Sequence, residues 1–544
     1  MKKHITRLLF AALLLLALCI GASAAGTSGK CGPSAYWSFD SSTGTLTISG
    51  SGAMNDCVFQ WGDPDPRPWS AYLSEIKTVV IGDSITKIGK ESFSSLSCTT
   101  VRIGKNVQVI GENAFMNCTS LTGDLVIPDS VTTIDRWAFF GSVISNGTLT
   151  LGKGLRTIGE RAFTDCSFSG GLTIPEGVTE IAEGAFCSSS KYSGSPAHGK
   201  ITGTLTLPST LKTIGAYAFA YEGFSGELLI PDGVTCIGAN AFAECDGFGG
   251  TLSLPDSVKT VGEWAFYQCE GFTGLKLPAG LTKIEKLSFA FMAGLKTEVA
   301  IPEGVTEIGE GAFECSYMPS VSLPSTLKKI GKQVFQFAGL TKITLPNGLE
   351  TIGDEAFDGC RFKKAIVLPA SIKSIGKKAF YGYSYYGSGT LGVYFLGAAP
   401  QIVGTLNANC SFPSDWTLFY LPGTSGWMGD TYEGYQIAPW DGETRWDNLY
   451  TRRFGYDVRG YEIETSWSVN TDTGKITLTD DLNEGCVVAV SYDAEGRVTG
   501  IGVLRTKTDF VVLNLQDTCR LFLLNASSVP RLNAPITIND YLQT

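Results

Sequence analysis

Histidine is nearly absent from this chain of 544 residues, which contains only His4 and His198. Metal sites and general acid–base catalysis at neutral pH most often use imidazole groups. A site with several histidines cannot form here, and a catalytic imidazole would have to be His198. Charged residues are also scarce, at 17% of the chain against the ~25% that is usual. We therefore expect no cofactor, no metal and no enzyme activity.

Long apolar runs are lacking as well, except at the start of the chain. Lys2, Lys3 and Arg7 precede an apolar run at residues 8–20, and the small residues 22–24 follow this run. This order is typical of a secretory signal peptide, and the run is shorter than the ~20 residues that span a bilayer. We expect residues 1–24 to be removed and the rest to be exported without a membrane span. A net charge of −10 disfavours nucleic acid as a partner.

One segment recurs thirteen times between residues 76 and 380. Clear copies are GLTIPEGVTEIAEGAF at 171–186, TLSLPDSVKTVGEWAF at 251–266 and EVAIPEGVTEIGEGAF at 298–313. Each copy has one marker phenylalanine, and the set is Phe93, Phe115, Phe139, Phe163, Phe186, Phe219, Phe242, Phe266, Phe289, Phe313, Phe335, Phe357 and Phe380. The period is 22–24 residues, apart from one insertion after Phe186. Such a period with alternating apolar residues predicts a mainly β leucine-rich repeat solenoid.

The copy at residues 340–360 indicates how one coil folds. Ile343 and Leu345 alternate with polar residues as in a half-buried strand, and a proline then ends the strand. Gly353 allows a second bend. We expect Ala356 and Phe357 to close the coil as a helical turn. One coil cannot bury its own apolar side chains, so the neighbouring coils must cover them.

The residue two positions before the proline position of each coil should face outward. This outward row comprises Val80, Arg102, Val126, Thr150, Thr173, Thr206, Leu229, Ser253, Lys276, Ala300, Ser322, Thr344 and Val367. It is nearly neutral and rich in hydroxyls, which suits a broad ligand. The alternative explanation is the ordinary β-propensity of threonine and valine.

The run I-P-x-[GS]-V-T-x-I-G-x-x-A-F-x-x-C resembles the repeat of the BspA-like leucine-rich repeat family of bacterial secreted and cell-surface proteins. GTLTISGSGAM at 44–54 resembles the cap before such arrays, and YFLGAAP at 394–400 resembles their end. The resemblance implies adhesion or protein binding at a cell surface rather than catalysis. The resemblance does not identify a particular ligand.

These patterns divide the chain into five predicted parts. They are a signal peptide at 1–24, an N-terminal β-hairpin cap at 25–75, a solenoid of about 13 coils at 76–387, a C-terminal cap at 388–440 and a small β-sandwich-like module at 441–544. The module is predicted from strand-like runs such as CVVAVSYDAEGRVTGIGVL at 486–504. No Leu-Pro-x-Thr-Gly sorting signal occurs, so we do not expect covalent attachment to a cell wall.

Fifteen cysteines in an exported chain would ordinarily predict disulfides. Five of them, however, follow a marker phenylalanine by three residues: Cys118, Cys166, Cys245, Cys269 and Cys360. They occupy one position in different coils, where we expect small buried thiols rather than bridges or metal ligands. Cys31 and Cys57 flank the predicted hairpin, and both a disulfide and two free thiols are open alternatives there.

Two groups of residues are candidate ligand contacts. A basic cluster with adjacent tyrosines suits a polyanion such as a sulfated glycan or teichoic acid, and it comprises Lys328, Lys329, Lys332, Arg361, Lys363, Lys364, Lys373, Lys377, Lys378, Tyr383 and Tyr385. The insertion after Phe186 contributes Lys191, Tyr192 and His198. The alternatives are a solvated basic face and a flexible surface loop.

Three functions are compatible with this sequence. The leading prediction is a noncatalytic exported binding or adhesion protein that engages an extracellular protein or glycan through the solenoid surface. A structural spacer or display scaffold at the cell surface is the first alternative. A cryptic hydrolase is the second, and the near absence of histidine disfavours it.

Overall fold

The fold is seen in a computed structural model of the chain. It describes residues 27–60, 62–145, 147–188, 201–362, 366–382, 393–403, 410–413 and 416–439, and the backbone of several strands between 467 and 537. The predicted signal peptide lies outside the described residues. The repeats are nearly all strand and turn and wind through about 13 turns. The chain divides into two compact units, Met1–Val178 with Ser188–Ile201 and Thr179–Cys187 with Thr202–Thr544.

A Thr-Ile ladder of short parallel strands runs along each unit, and most of its strands end in a buried isoleucine or valine. Equivalent residues pair between coils, as Ile308 does with Ile330. In the first unit the strands are Gly52–Ala53, Ile85–Ile88, Val109–Ile110, Thr133–Ile134 and Thr157–Ile158. In the second unit they are Glu180–Ile181, Thr213–Ile214, Cys236–Ile237, Thr260–Val261, Lys283–Ile284, Glu307–Ile308, Lys329–Ile330, Thr351–Ile352, Ser374–Ile375 and Gln401–Ile402.

A second set of strands lies just before the proline position of the coils, where the sequence predicts strands, and we call this set the proline-side ladder. In the first unit it comprises Thr45–Gly50, Thr78–Ile81, Thr100–Arg102, Leu125–Val126, Leu149–Thr150 and Leu172–Thr173. In the second unit it comprises Leu205–Thr206, Phe248–Ser253, Phe272–Lys276, Val299–Ala300, Val321–Ser322, Ile366–Leu368, Val393–Phe395, Leu418–Tyr420 and Tyr435–Pro439, with Thr431–Tyr432 antiparallel to the last. The coil at 340–360 has no strand at Ile343 and Leu345, although both side chains are buried.

A corner ladder occupies the connection between the marker phenylalanine and the proline-side strand in the longer coils. Its strands are Leu121–Thr122 and Ile144–Ser145 in the first unit. In the second unit they are Thr202–Gly203, Gly223–Phe224 and Gly226–Glu227, together with the first residues of Phe248–Ser253 and Phe272–Lys276. Phe224, Phe248 and Phe272 are fully buried and their rings stack at 6.0 Å spacing, which fills this corner of the second unit.

The marker phenylalanine lies in a run of turns, and the helical turn expected at Ala356 and Phe357 is wrong. The residues two before and two after the marker have positive φ in almost every coil, as Trp264 (61°) and Gln268 (55°) do. Three N–H groups per coil, those of the marker and these two neighbours, donate to carbonyls of the next coil. Trp264, Phe266 and Gln268 donate in this way at 2.9–3.0 Å. We call this arrangement the turn ladder, and all its donors point the same way along the chain.

The marker phenylalanines form a stacked column inside each unit, and all thirteen are buried. In the first unit, Trp69, Phe93, Phe115, Phe139 and Phe163 stack with ring centroids 5.1–5.4 Å apart. In the second unit the spacing from Phe186 through Phe380 to Phe412 is 5.0–5.7 Å. Neighbouring coils therefore bury each other's rings, as the repeat predicts.

The repeated cysteine position is buried and has a specific hydrogen-bonding role. The thiols of Cys118, Cys166, Cys245, Cys269 and Cys360 each lie 3.0–3.3 Å from the marker carbonyl of the preceding coil, to which they donate. Ser142 and Ser316 donate the same bond from the same position, at 2.6 and 2.7 Å. Burial raises the pKa of Cys269 to about 12, so that the thiol keeps its proton. Cys31 and Cys57 are buried, free thiols.

The caps complete the hydrogen bonds of the outermost coils. In the first unit, strands Ser28–Lys30, Ala35–Asp40 and Thr45–Gly50 form an antiparallel sheet, and a 3-10 helix spans Ser70–Tyr72. The Cys57 N–H donates to the Lys90 carbonyl at 2.9 Å, and Arg67 Nη1 donates to the Ser94 carbonyl at 2.6 Å. In the second unit, the Phe380 N–H donates to the Ser411 carbonyl at 2.8 Å. Each cap therefore presents the group that its adjacent coil lacks.

Seven further strands belong to the predicted C-terminal module. Trp467–Asn470, Lys475–Leu478 and Phe510–Val512 form one antiparallel sheet. Cys486–Tyr492, Val498–Leu504, Thr518–Leu524 and Ile536–Thr537 form another.

Candidate functional site

The outward row of the proline-side ladder does face outward. In the first unit, Val126 is 54% exposed, and in the second unit Leu229 is 67% exposed. The other row members are exposed or half-exposed. The row therefore presents short, mostly uncharged side chains to solvent.

The basic cluster is interrupted by carboxylates from the intervening coils. Glu350 lies between Lys328 and Lys373 in the stack, because its N–H donates to the Lys328 carbonyl and its own carbonyl accepts from the Lys373 N–H. The Lys373 ammonium lies 2.6 Å from Glu350 Oε2, and this hydrogen bond lowers the pKa of the Glu350 carboxyl. Lys329 likewise lies 2.9 Å from Glu307. Exposed pairs of this kind contribute little stability, but they disperse the positive charge.

The remaining cluster members occupy a neighbouring row. The Lys377 N–H donates to Asp354 Oδ1 at 2.7 Å, and Lys332 occupies the equivalent place in the coil before Asp354. Lys378 lies 5.5 Å from the centre of the Tyr381 ring. Seven predicted contact residues lie outside the described residues: Lys191, Tyr192, His198, Lys363, Lys364, Tyr383 and Tyr385.

A cleft opens in the second unit where the coils become shorter. Pro302 lies 13 positions after Phe289, whereas Pro324 lies only 11 after Phe313. The coil that begins at Phe335 is equally short. These coils lack the residues that form the corner ladder elsewhere, and that ladder ends with Phe272–Lys276 among the described residues. The missing residues leave a recess at the corner.

The cleft has a volume of about 630 Å³ and is lined by three successive coils: Cys315 and Tyr317, then Phe337, Gly339 and Thr341, then Gly359 and Arg361. Tyr317 is 56% exposed and Phe337 is 43% exposed. A Cβ atom at Gly359 would lie 2.2 Å from Cδ1 of Phe337, so a side chain at this position would displace that ring. The aromatic lining thus depends on the sequence of the neighbouring coil.

Four of the seven residues that line the cleft donate their main-chain N–H groups to other main-chain carbonyls. Cys315, Phe337 and Gly359 donate their N–H groups to the next coil, and the Arg361 N–H donates to the Leu340 carbonyl. Burial, and then the charge of Glu314, raise the pKa of the Cys315 thiol. The thiol stays protonated at neutral pH, and the thiolate is the nucleophilic form.

Of the predicted contact residues, Arg361 alone among those described lines this cleft. The prediction missed Tyr317 and Phe337. Their signal in the sequence is the drop to 22-residue spacing from Phe313 to Phe335 and from Phe335 to Phe357. Tyr317 stands where the other coils have smaller or charged residues, whereas the position of Phe337 is also aromatic at Tyr221 and Phe291.

The repeating coils, their hydrogen-bonded ladders and the open corner cleft define a leucine-rich repeat solenoid. A family model described as "BspA type Leucine rich repeat region (6 copies)" matches residues 86–194, 198–313 and 288–386. These matches cover more than half of the chain, which therefore belongs to the BspA-type leucine-rich repeat family.

Several solved structures are similar to the chain. A leucine-rich repeat protein from Bacteroides ovatus is 20% identical with a TM-score of 0.41, and the match covers 66% of this chain and 93% of that one. A leucine rich cell surface protein from Faecalibacterium prausnitzii is 22% identical with a TM-score of 0.30, covering 70% and 97%. The pneumococcal vaccine antigen PcpA is 18% identical with a TM-score of 0.35, covering 73% and 94%. No protein with a curated description matches the chain.

The described residues contain no group of three or more histidine, cysteine or acidic side chains placed to hold a metal ion. They also contain no helix with the length and apolar character that crossing a membrane requires.

Proposed function

We propose that this chain is a noncatalytic, exported binding protein that engages a macromolecular ligand through the surface of its solenoid. The observation that carries the proposal is the corner cleft, where Tyr317 and Phe337 are exposed beside Arg361. Exposed apolar side chains that gather in one recess mark sites of interaction more often than scattered ones do. Tyrosine and arginine are also the side chains that most often dominate binding energy.

The export part of the proposal is supported by the residue pattern at 1–24, which is typical of a signal peptide. The chain also belongs to the BspA-type family, and resemblance to that family implies a secreted or cell-surface protein. We propose an adhesive role at the cell surface on the same grounds.

The basic cluster has a secondary role in this proposal. Arg361 contacts the ligand directly, because it lines the cleft. Lys328, Lys332 and Lys377 attract an anionic ligand at longer range, with the outward row as an adjoining surface. Glu350 and Asp354 weaken that attraction, so the cleft carries most of the specificity.

An array of glycans and extracellular-matrix proteins, probed with the full chain, tests the proposal. We expect at least one ligand whose binding is lost in the Tyr317→Ala/Phe337→Ala double variant. Tyr36→Ala is the matched control, since Tyr36 is 44% exposed but lies in the N-terminal cap. A spacer would bind nothing on the array. A hydrolase would release product from an arrayed ligand, and either outcome would contradict the proposal.

A further inference from the structure

We propose that one face of the turn ladder in the second unit binds an arginine-bearing segment of another protein, with a guanidinium group stacked on Trp264 and paired with Glu263. This inference concerns a different surface from the corner cleft and does not depend on it. We call the surface the Trp264 face, and it comprises Asp246, Glu263, Trp264, Tyr267, Glu270 and Phe291.

Three aromatic rings from two adjacent coils form the centre of this face. The Tyr267 ring centroid lies 4.6 Å from that of Trp264 in its own coil and 5.2 Å from that of Phe291 in the next coil. All three side chains are partly exposed. The Trp264 N–H donates to the Lys286 carbonyl at 3.0 Å, which holds the backbone beneath the indole ring. The face of an indole ring carries negative charge density and binds cations more strongly than the other aromatic side chains do.

The first unit shows what binds to a tryptophan at this position. Trp137 and Trp264 each precede a marker phenylalanine by two residues, and both have positive φ, at 58° and 61°. Cζ of the Arg136 guanidinium lies 3.9 Å from the centre of the Trp137 ring. At Trp264 the preceding residue is Glu263, so the chain has a carboxylate at the position of that arginine. An arginine from another protein would complete the pair that the first unit forms by itself.

Glu263 lacks the ion pair that its neighbours in the stack form. The residue three positions before the marker changes sign from coil to coil through Lys286, Glu310, Lys332, Asp354 and Lys377. Lys286 Nζ lies 3.3 Å from Glu310, and the coil before Glu263 has Ala239 at this position. Within the described part of the chain, Glu263 therefore has no basic side chain at ion-pair distance. A cation is missing from the row at this point.

Two more carboxylates extend the negative charge to the other end of the turns. Asp246 and Glu270 each follow a marker phenylalanine by four residues in adjacent coils, and both are exposed. Residues 239–246 and 263–270 contain no lysine or arginine. The face thus carries a local excess of negative charge, which attracts a cationic partner and repels an anionic one.

A guanidinium group matches this combination better than an ammonium group does. The plane of a guanidinium stacks on an aromatic ring while its fork donates to a carboxylate, whereas an ammonium is a compact and strongly hydrated point charge. A single exposed contact of either kind contributes little free energy, so stable binding needs several guanidinium groups on one ligand. Arginine residues within a polypeptide supply them, and the partner is therefore a protein segment rather than a small cation.

Isothermal titration of the full chain with three short peptides tests the inference. In each peptide glycine alternates with arginine, with lysine or with citrulline, which is the neutral counterpart of arginine. We expect the arginine peptide to bind about fivefold or more tightly than the lysine peptide, because only the guanidinium stacks and donates together. The citrulline peptide should not bind. Trp264→Ala should remove the preference for arginine over lysine, and Glu263→Gln should weaken both cationic peptides.

The first unit provides matched control variants at the same two positions of a coil. Trp137→Ala should leave peptide binding unchanged, since the ring of Trp137 already carries Arg136. Glu112→Gln should also leave it unchanged, since Glu112 is already paired with Lys90 at 3.0 Å. Circular dichroism establishes that the variants fold, and the exposed Glu263→Gln variant keeps the test decisive if Trp264→Ala does not.

Several outcomes would overturn the inference. One is an arginine peptide that binds no more tightly than the lysine or citrulline peptide, and another is an arginine preference that survives Trp264→Ala. Competition by a cationic glucosamine oligomer as strong as that by the arginine peptide would show that positive charge alone is recognised. Self-association in sedimentation velocity that Trp264→Ala abolishes would show that a second copy of the chain occupies the face. The proposed function is judged separately, by the Tyr317→Ala/Phe337→Ala variant, which alters neither Trp264 nor Glu263.

Discussion

Replacement of one ring in the phenylalanine column should weaken the solenoid strongly and locally. Phe242 is fully buried, and its ring centroid lies 5.4 Å from those of both Phe219 and Phe266. Truncation of a buried phenylalanine to alanine costs about 3–5 kcal/mol through lost burial and a residual cavity. We expect Phe242→Ala to lie at the upper end, because three ladders fix the spacing of the coils and prevent collapse. The N–H groups of Asn240, Phe242 and Glu244 donate to carbonyls of the next coil at 2.7–2.9 Å.

Hydrogen exchange of the full chain, read by mass spectrometry, measures this effect coil by coil. A solenoid coil contacts only its neighbours, so amides between residues 219 and 266 should exchange at least about 100-fold faster, the factor that the lower limit of roughly 3 kcal/mol implies. Amides around Phe380 should be unaffected. Phe337→Ala is the control, since that ring is 43% exposed and its loss should change exchange little. A loss of stability below about 1 kcal/mol for Phe242→Ala, or equal acceleration at Phe380, would refute stacking as the source of stability.

Three further perturbations test other parts of the fold. Cys269→Ser should retain the bond to the Phe242 carbonyl and melt near the parent chain, whereas Cys269→Ala should lose about 1 kcal/mol; equal melting of both variants would contradict the role of the thiol. Gln268 has a φ of 55°, so Gln268→Gly should preserve or raise the denaturation midpoint, and Gln268→Val should lower the stability by about 1–2 kcal/mol. The reverse order of stability would contradict a left-handed backbone conformation at this position. Burial tends to raise the pKa of Asp65, but hydrogen bonds from Arg67 outweigh this and lower it below the ordinary 3.8. The stabilising contribution of this carboxylate is therefore complete above pH 3.8 and is lost as the pH falls through its lower folded value. Asp65→Asn should be less stable at pH 7, and the gap should narrow below pH 3.8; a gap that widens in acid would contradict the pairing.

The inward and outward positions of the coils were predictable because the same pattern recurs thirteen times. Apolar side chains that repeat at one place, such as the marker phenylalanines, can be buried only against their counterparts in adjacent coils. The shared cysteine position followed from the same reasoning, and the thiols are indeed buried. Their hydrogen bonds to the marker carbonyls were not predicted, although Ser142 at the same position was a signal for a donor.

The turn ladder and the cleft were not predictable from local sequence. Trp264 and Gln268 have no intrinsic preference for positive φ, so nothing in one copy predicts a left-handed backbone there. Hydrogen bonds to the next coil impose that conformation. The cleft depends on residues that are missing from two coils, and the position of the Phe337 ring in it depends on Gly359 in a third coil. Both features arise from contacts between coils, which the sequence of a single coil does not specify.

The direction of the turn ladder has a consequence for how such a chain can lengthen. In the turn ladder, each coil accepts hydrogen bonds from the coil before it and donates to the coil after it, so an internal coil that is copied in tandem leaves no group of this ladder unmatched. The two caps are not interchangeable, because one must supply donors to the first coil, as Cys57 and Arg67 do, and the other must supply an acceptor, as Ser411 does. Gene duplication within the array is thus tolerated by the backbone chemistry, whereas inversion or exchange of the ends is not. Variation in coil number, and with it in the position of short coils, is a simple route to new recesses on an unchanged framework.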